Sequence, residues 1–259
     1  MRPGVLMASG GLDSTTMMYE LHAAGALKAV FFARYGQASA AACLSMVRWH
    51  ARRCGNAPVV VLDVHAPKHH GGRLLGVYKH GFKPSNKRFP PDSRAARKPT
   101  QNNVKNFMYK EWSWIEGRNS LFFIQAAILA GSMGLDTIYT AFQFNQVYWD
   151  VPAKKRYLYD TGPEFVRAMN TLFSSGAFIE PMRVEAPYLD AKRDKVWIIR
   201  RGLKLGADLS RTHSCEFYPA CGRCSQCQIK ESSLGLVASD TARKVERALS
   251  TLRKARKVA

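Results

Sequence analysis

Val5-Leu6-Met7-Ala8-Ser9-Gly10-Gly11-Leu12-Asp13-Ser14, near the start of the chain, decides how the rest is read. Val5 and Leu6 supply an apolar strand, Ser9 to Ser14 spell an S-G-G-x-D-S turn, and Ser14 to Ala24 reads as a helix. Paired glycines between a strand and a helix let the backbone approach an anion closely. The helix start adds N–H donors and the positive end of its dipole. Ser9 and Ser14 contribute hydroxyl donors, so the candidate nucleotide-binding run is Met7, Ala8, Ser9, Gly10, Gly11, Leu12, Asp13, Ser14 and Thr15. No Lys follows the glycines, which separates this loop from the G-x-x-x-x-G-K-[ST] type that grips β- and γ-phosphates for hydrolysis. It suits cleavage of ATP to AMP and pyrophosphate. A plain turn with Asp13 capping the helix is the simpler alternative, and the agreement of strand, glycines, acid and serine argues against it.

Working outward, Lys28 to Ala33 is an apolar strand, Ala38 to Arg53 a helix and Pro58 to Val64 another buried strand. Asn119 to Met133 reads as an apolar helix, Thr137 to Phe142 as a strand, and Glu164 to Phe173 and Lys192 to Leu205 as amphipathic helices. This βαβαβ alternation predicts an α/β, Rossmann-like parallel sheet with helices on both faces. Such sheets collect ligands at the carboxyl ends of their strands, where the glycine loop sits. The expected division is a nucleotide-binding domain over 1–190, with a basic insertion near 65–110, and a small C-terminal helical, zinc-binding appendage over 191–259.

A chain of 259 residues with 46% hydrophobic content can bury a full core. No apolar run reaches the roughly 18 residues of a membrane span, and the first residues lack the basic and apolar regions of a secretory signal, so the expectation is a cytoplasmic protein without membrane contact. Lys and Arg number 39 against 19 Asp and Glu, a net charge of +20 that favours polyanionic company, either nucleotide or nucleic acid. From His65 to Lys110 there are eleven Lys or Arg and one acid, Asp92, interrupted by five prolines. That composition predicts a long basic lid or loop. Arg243 to Lys257 carries seven more basic residues against Glu246 on a polar, helix-like stretch. Neither segment has the interleaved aromatics of a nucleic-acid stacking platform, and closure over substrate, contact with nucleic acid and plain solvation all stay open.

Cys215, Cys221, Cys224 and Cys227 stand as C-x5-C-x2-C-x2-C, four of the six cysteines in the chain. Spacing this short lets thiolates converge on one Zn²⁺, and a four-Cys set leaves no open coordination position, so the ion is expected to be structural. Disulfides, an iron–sulfur cluster and a redox pair of Cys224 with Cys227 are the alternatives. His213 is a further candidate ligand, and Cys43 and Cys54 read as buried packing residues.

With the S-G-G-x-D-S loop at one end and the cysteine knot near the other, the chain resembles the 7-cyano-7-deazaguanine synthases of the pyrophosphatase-loop (PP-loop, HUP-type) superfamily. Tyr35-Gly36-Gln37, Val61-Leu62-Asp63-Val64, Gly117-Arg118-Asn119, Glu164 to Asn170, Pro187-Tyr188-Leu189 and Thr212-His213-Ser214-Cys215 stand in the expected order. The resemblance implies a ligase that uses ATP to adenylate the carboxylate of 7-carboxy-7-deazaguanine. Ammonia then displaces AMP, and a second activation of the amide leaves a nitrile, in the pathway to 7-deazaguanine-modified nucleic acid.

It further implies ATP, Mg²⁺ and Zn²⁺ as cofactors and a homodimer. Asp13 would orient the loop or hold Mg²⁺, Ser14 would help stabilise pyrophosphate, and Arg118 and Lys192 would neutralise accumulating charge. Surface or salt-bridge roles are the alternatives for Arg118 and Lys192. Where these synthases carry a Glu-Thr-Asp-containing, Gly-Tyr-Pro-Asp-like substrate segment, this chain reads Gln143-Phe144-Asn145-Gln146-Val147-Tyr148-Trp149-Asp150 and continues to Tyr159-Asp160-Thr161. Gln at 143 removes a charge-assisted acceptor for a guanine-like ring, which Asp150 or Asp160 could supply instead, and Tyr148 and Trp149 could stack on a flat heterocycle. Ala33-Arg34 also stands where an acid or His is expected. Two other readings stay in view: a related enzyme adenylating tRNA, DNA or a protein terminus directly, and a zinc-stabilised nucleic-acid-binding module without catalysis.

Overall fold

The computed structural model describes residues 1–64, 117–144, 160–215, 217–222, 226–227 and 229–241. Its centre is a five-stranded parallel sheet in the order β3-β2-β1-β4-β5, built from β1 (Gly4–Met7), β2 (Leu27–Arg34), β3 (Val59–Asp63), β4 (Thr137–Tyr139) and β5 (Arg183–Glu185). Its helices include α1 (Leu12–Ala23), α2 (Ala40–Arg53), α3 (Arg118–Ser132), α4 (Pro163–Ser174), α5 (Pro187–Asp190) and α6 (Lys195–Lys204), and the described residues of 226–241 are helical as well. The expected α/β Rossmann-like sheet is present.

Strands covered on both faces read as continuous apolar runs, which is why Ala29-Val30-Phe31-Phe32 carries no polar residue. Successive side chains then point to opposite faces. Leu6, Val30 and Phe32 enter one core with α1, α2 and α6, while Val5, Ala29, Phe31 and Ile138 enter the other with α3 and α4. Each fully buried Phe contributes on the order of 1.5–3 kcal/mol relative to exposure. Ile198, Ile199, Leu209 and Val237 join the first core, so the described part of 191–259 packs directly against α1 and α2.

The α1–α6 seam is close and polar. Asp13 pairs with Lys195, Thr16 Oγ1 donates to the Ile198 carbonyl, and Glu20 accepts from Arg201 Nε at 2.5 Å. Residues 13, 16 and 20 share one face of α1, and 195, 198 and 201 share one face of α6. Gly202 makes the approach feasible, since a Cβ there would lie 2.5 Å from Thr16 Oγ1.

Element limits differ from the sequence expectation at several points. The strand expected to run to Phe142 ends at Tyr139. The helix expected from Lys192 starts at Lys195, because Asp194 is its N-cap and accepts from Trp197 N at 2.7 Å. The sheet also holds β5, which the sequence reading did not anticipate. The basic segment 65–110, the C-terminal basic stretch beyond 241, Tyr148, Trp149, Asp150 and Cys224 lie outside the described residues. Among the described residues no helix is long and apolar enough to cross a membrane.

Candidate functional site

In the order 3-2-1-4-5 the chain crosses over between β1 and β4, and an open α/β sheet offers a crevice at that switch point, beyond the carboxyl ends of the strands. The glycine loop leaves β1 there. Gly10 has φ +80°, and a Cβ on it would meet the Cys43 carbonyl oxygen at 2.7 Å, so only glycine fits between β1 and α2. Ser14 Oγ organises the loop from below. It accepts from Ser9 N at 3.2 Å, lies 3.2 Å from Ser9 Oγ and donates to the Gly11 carbonyl at 3.3 Å. Gly11 is the N-cap of α1, and Ser9 is exposed above it, so the first-turn N–H groups of a 12-residue helix open toward the crevice.

Asp13 lies in the first turn of α1 with its carboxylate largely buried. Oδ2 accepts from Lys195 Nζ at 2.5 Å, and the buried Oδ1 has no hydrogen-bond partner. Lys195 was not singled out from the sequence. Lys192, which was, lies exposed in the turn between α5 and α6 with φ +51°. The lysine that meets the loop is three positions further on, and the signal that would have found it is the Asp194 cap that opens α6 at 195.

A second group of polar side chains centres on the start of α3. Arg118 opens α3, and its Cζ stands 5.6 Å from the ring centre of Tyr35, just past β2, a distance suited to a cation–π contact. Next to it Asn119 donates to the Asp160 carbonyl at 3.1 Å. Burial pushes the Asp160 carboxyl up to about 6, against the pull of the nearby Arg118 guanidinium. Gln143 lies four residues past β4. Arg118 Nε, Gln143 Oε1 and Asp160 Oδ2 are all buried without a hydrogen-bond partner. Buried donors and acceptors left unpaired are costly, and a polar ligand that reached them would satisfy them.

Cys215, Cys221 and Cys227 place their sulfur atoms within 4.8 Å of one another. Tetrahedral thiolates at the usual Zn–S length stand about 3.8 Å apart, so this cluster can hold a metal ion. Cys215 Sγ lies 3.5 Å from Cys221 Sγ and accepts from the N–H groups of Phe217 and Cys221 at 3.3 Å each. N–H donors on a sulfur suit a thiolate. The candidate ligand His213 is engaged elsewhere, since its Nε2 donates to the Phe217 carbonyl at 2.9 Å. Its own backbone N–H donates to the Gly10 carbonyl at 2.8 Å, which brings the cysteine region against the glycine loop. Cys43 and Cys54 are buried, as expected, and burial raises both thiols, Cys54 to about 12, which makes them poor nucleophiles.

Known proteins share this arrangement of sequence. A family model described as queuosine biosynthesis protein QueC matches residues 4–237. The chain is 30% identical over 239 residues to a 7-cyano-7-deazaguanine synthase of Syntrophotalea carbinolica, covering 88% of this chain and 90% of that protein. A synthase of the same name from Porphyromonas gingivalis is 30% identical over 240 residues, covering 90% of this chain and 92% of the relative. One from Myxococcus xanthus is 30% identical over 237 residues, with 88% and 90% covered.

Proposed function

The chain belongs to the QueC family of queuosine biosynthesis proteins, and on that premise we propose that it is an ATP-dependent ligase converting 7-carboxy-7-deazaguanine and ammonia to 7-cyano-7-deazaguanine. The observation that supports this reading most is that one sheet carries two unlike sets of groups. A loop of backbone donors with the Ser9 hydroxyl leaves the carboxyl end of β1, and buried, unpartnered polar atoms of Arg118, Gln143 and Asp160 stand at the start of α3, after β4 and just before α4.

The chemistry follows from what each set can stabilise. A carboxylate oxygen of the substrate attacks the α-phosphorus of ATP, and the bond to pyrophosphate breaks. Pyrophosphate departs onto the N–H groups at the start of α1 and the exposed Ser9 hydroxyl, while the buried Ser14 Oγ, already bonded to Ser9 N and the Gly11 carbonyl, holds the loop in shape for it. Ammonia attacks the carbonyl carbon, AMP leaves and an amide results. A second ATP activates the amide oxygen in the same way, and loss of AMP with the nitrogen-bound protons leaves the nitrile. No covalent protein nucleophile takes part.

Arg118 would neutralise the substrate carboxylate before it is activated. The side chains of Gln143 and Asp160 would pair with the polar edge of the ring. Asp13 Oδ1, buried and without a partner, is an atom that fits Mg²⁺, which when bound would neutralise the phosphates. Zn²⁺ would be held by Cys215, Cys221 and Cys227 with Cys224 as fourth ligand, and serves structure rather than chemistry. A homodimer is proposed on the family likeness.

Incubation of the purified protein with 7-carboxy-7-deazaguanine, ammonium, ATP and Mg²⁺ tests this reading. Nitrile and AMP should appear together in mass spectra. AMP release only when tRNA, DNA or protein is added would replace the small-molecule reading with direct adenylation of a macromolecule.

A further inference from the structure

Thr212-His213-Ser214-Cys215 runs between the glycine loop and the cysteine cluster and is gripped from both sides. On the loop side, the His213 N–H donates to the Gly10 carbonyl at 2.8 Å. The strap also passes beside the next glycine, where a Cβ on Gly11 would lie in van der Waals contact, 3.5 Å from Ser214 Oγ and 3.9 Å from the His213 carbonyl oxygen. On the cluster side, Cys215 is itself one of the three gathered thiols, and His213 Nε2 closes the turn onto the Phe217 carbonyl. A third hold comes from the helical residues that follow the cysteines. Lys230 Nζ donates to the Thr212 carbonyl at 2.7 Å and contacts Thr212 Oγ1 at 2.9 Å, while Thr212 Oγ1 also donates to the Leu209 carbonyl at 2.8 Å.

Gly10 is the residue whose left-handed backbone shapes the loop, and its carbonyl is oriented by a bond from a residue two positions before a metal-ligating cysteine. We infer that the 212–215 strap couples the two sites: metal held at the cysteine cluster fixes the strap, and through the His213–Gly10 bond and the Lys230 clamp sets the affinity of the loop for pyrophosphate. Lys230 and His213 are thus positioning residues for nucleotide binding. The inference rests on the proposed reading of the loop as a pyrophosphate site.

The test is titration calorimetry of the full-length protein with inorganic pyrophosphate and Mg²⁺, in zinc-loaded form, after removal of zinc, and after zinc is restored. The expected result is a dissociation constant about tenfold weaker without zinc and recovered with it, the equivalent of one lost hydrogen bond to a charged site, at unchanged far-ultraviolet circular dichroism. Lys230→Met, with its zinc content measured, should bind pyrophosphate several-fold more weakly while keeping the metal, and Lys230→Arg should restore part of the affinity. If the zinc-free chain unfolds, the Lys230→Met protein decides the matter. Unaltered affinity in the folded zinc-free protein, or in zinc-replete Lys230→Met, overturns the coupling and leaves the nucleotide reading standing. No pyrophosphate or ATP uptake by the zinc-loaded wild type overturns both.

Discussion

Lys195 Nζ donates to Asp13 Oδ2 across 2.5 Å, joining the first turn of α6 to the first turn of α1 directly under the glycine loop. The lysine and aspartate side chains keep 17% and 20% of their exposure, so the pair is shielded but not fully desolvated, and removing one partner leaves a largely buried charge uncompensated. Lys195→Met should cost on the order of 1–3 kcal/mol in chemical denaturation and lower AMP formation by about 100-fold. Asp13→Ala should abolish AMP formation, with the circular dichroism spectrum of the wild type. Full activity in either variant would remove the pair from the site.

Asp160 gives a pH signature. Its folded carboxyl titrates near 6 against an ordinary value near 4, so between these the native state holds more protons than the unfolded one and stability falls as pH rises. Asp160→Asn should therefore stabilise the protein above pH 6 by on the order of 1–3 kcal/mol, with the gain vanishing near pH 4. The same variant should lose at least about tenfold in kcat/KM for the deazapurine substrate, because a buried partner for the ring is changed. Urea midpoints at the two pH values, with kinetics at pH 7.5, check both arms.

His50 has the opposite sign. Burial holds its imidazole below the usual histidine range, with Nδ1 3.2 Å from Tyr19 Oη and Nε2 donating to the Arg211 carbonyl at 2.7 Å. The unfolded chain then binds more protons as pH falls through about 6.5, and stability is lost on the acid side of that value. His50→Gln should show a shallower loss of stability between pH 7 and pH 5 than the wild type, read from denaturant midpoints.

Cys227→Ser should lower bound metal and stability together, by several kcal/mol, because metal binding free energy at a site of this kind is folding free energy. Metal analysis alongside thermal unfolding checks this. A fully stable, metal-free variant would contradict a structural ion.

Gly10→Ala places a methyl 2.7 Å from the Cys43 carbonyl oxygen in a backbone conformation that alanine avoids. Nucleotide uptake should fall below detection in calorimetry while the sheet, probed by far-ultraviolet circular dichroism, survives.

Much of this architecture was legible in the residues. The runs Val5-Leu6 and Ala29 to Phe32 are continuous and apolar, as strands buried on both faces must be, and the paired glycines after the first mark the switch-point loop; Val59 to Leu62 is as apolar but forms the partly exposed edge strand β3 rather than the buried strand its composition predicts. The cysteine spacing announced convergent thiols, three of which the structure gathers. What escaped the sequence has physical reasons. β5 is only Arg-Val-Glu, with one apolar residue and no period to detect. Lys192 and Lys195 stand three apart on a stretch that reads as one helix, and only the Asp194 cap and the left-handed turn at 192 tell which of them reaches Asp13. The His213–Gly10 contact is between backbone groups, which leave no mark on residue type. Arg118 and Asp160 meet through the fold across 42 positions of sequence, and the pairing has no local signature.

The loop at residues 9–14 is completed by partners at 195 and 213. Both supports lie far downstream of the glycines, beyond β5. A chain severed between α1 and α6 would thus keep the motif and lose the contacts that give it shape.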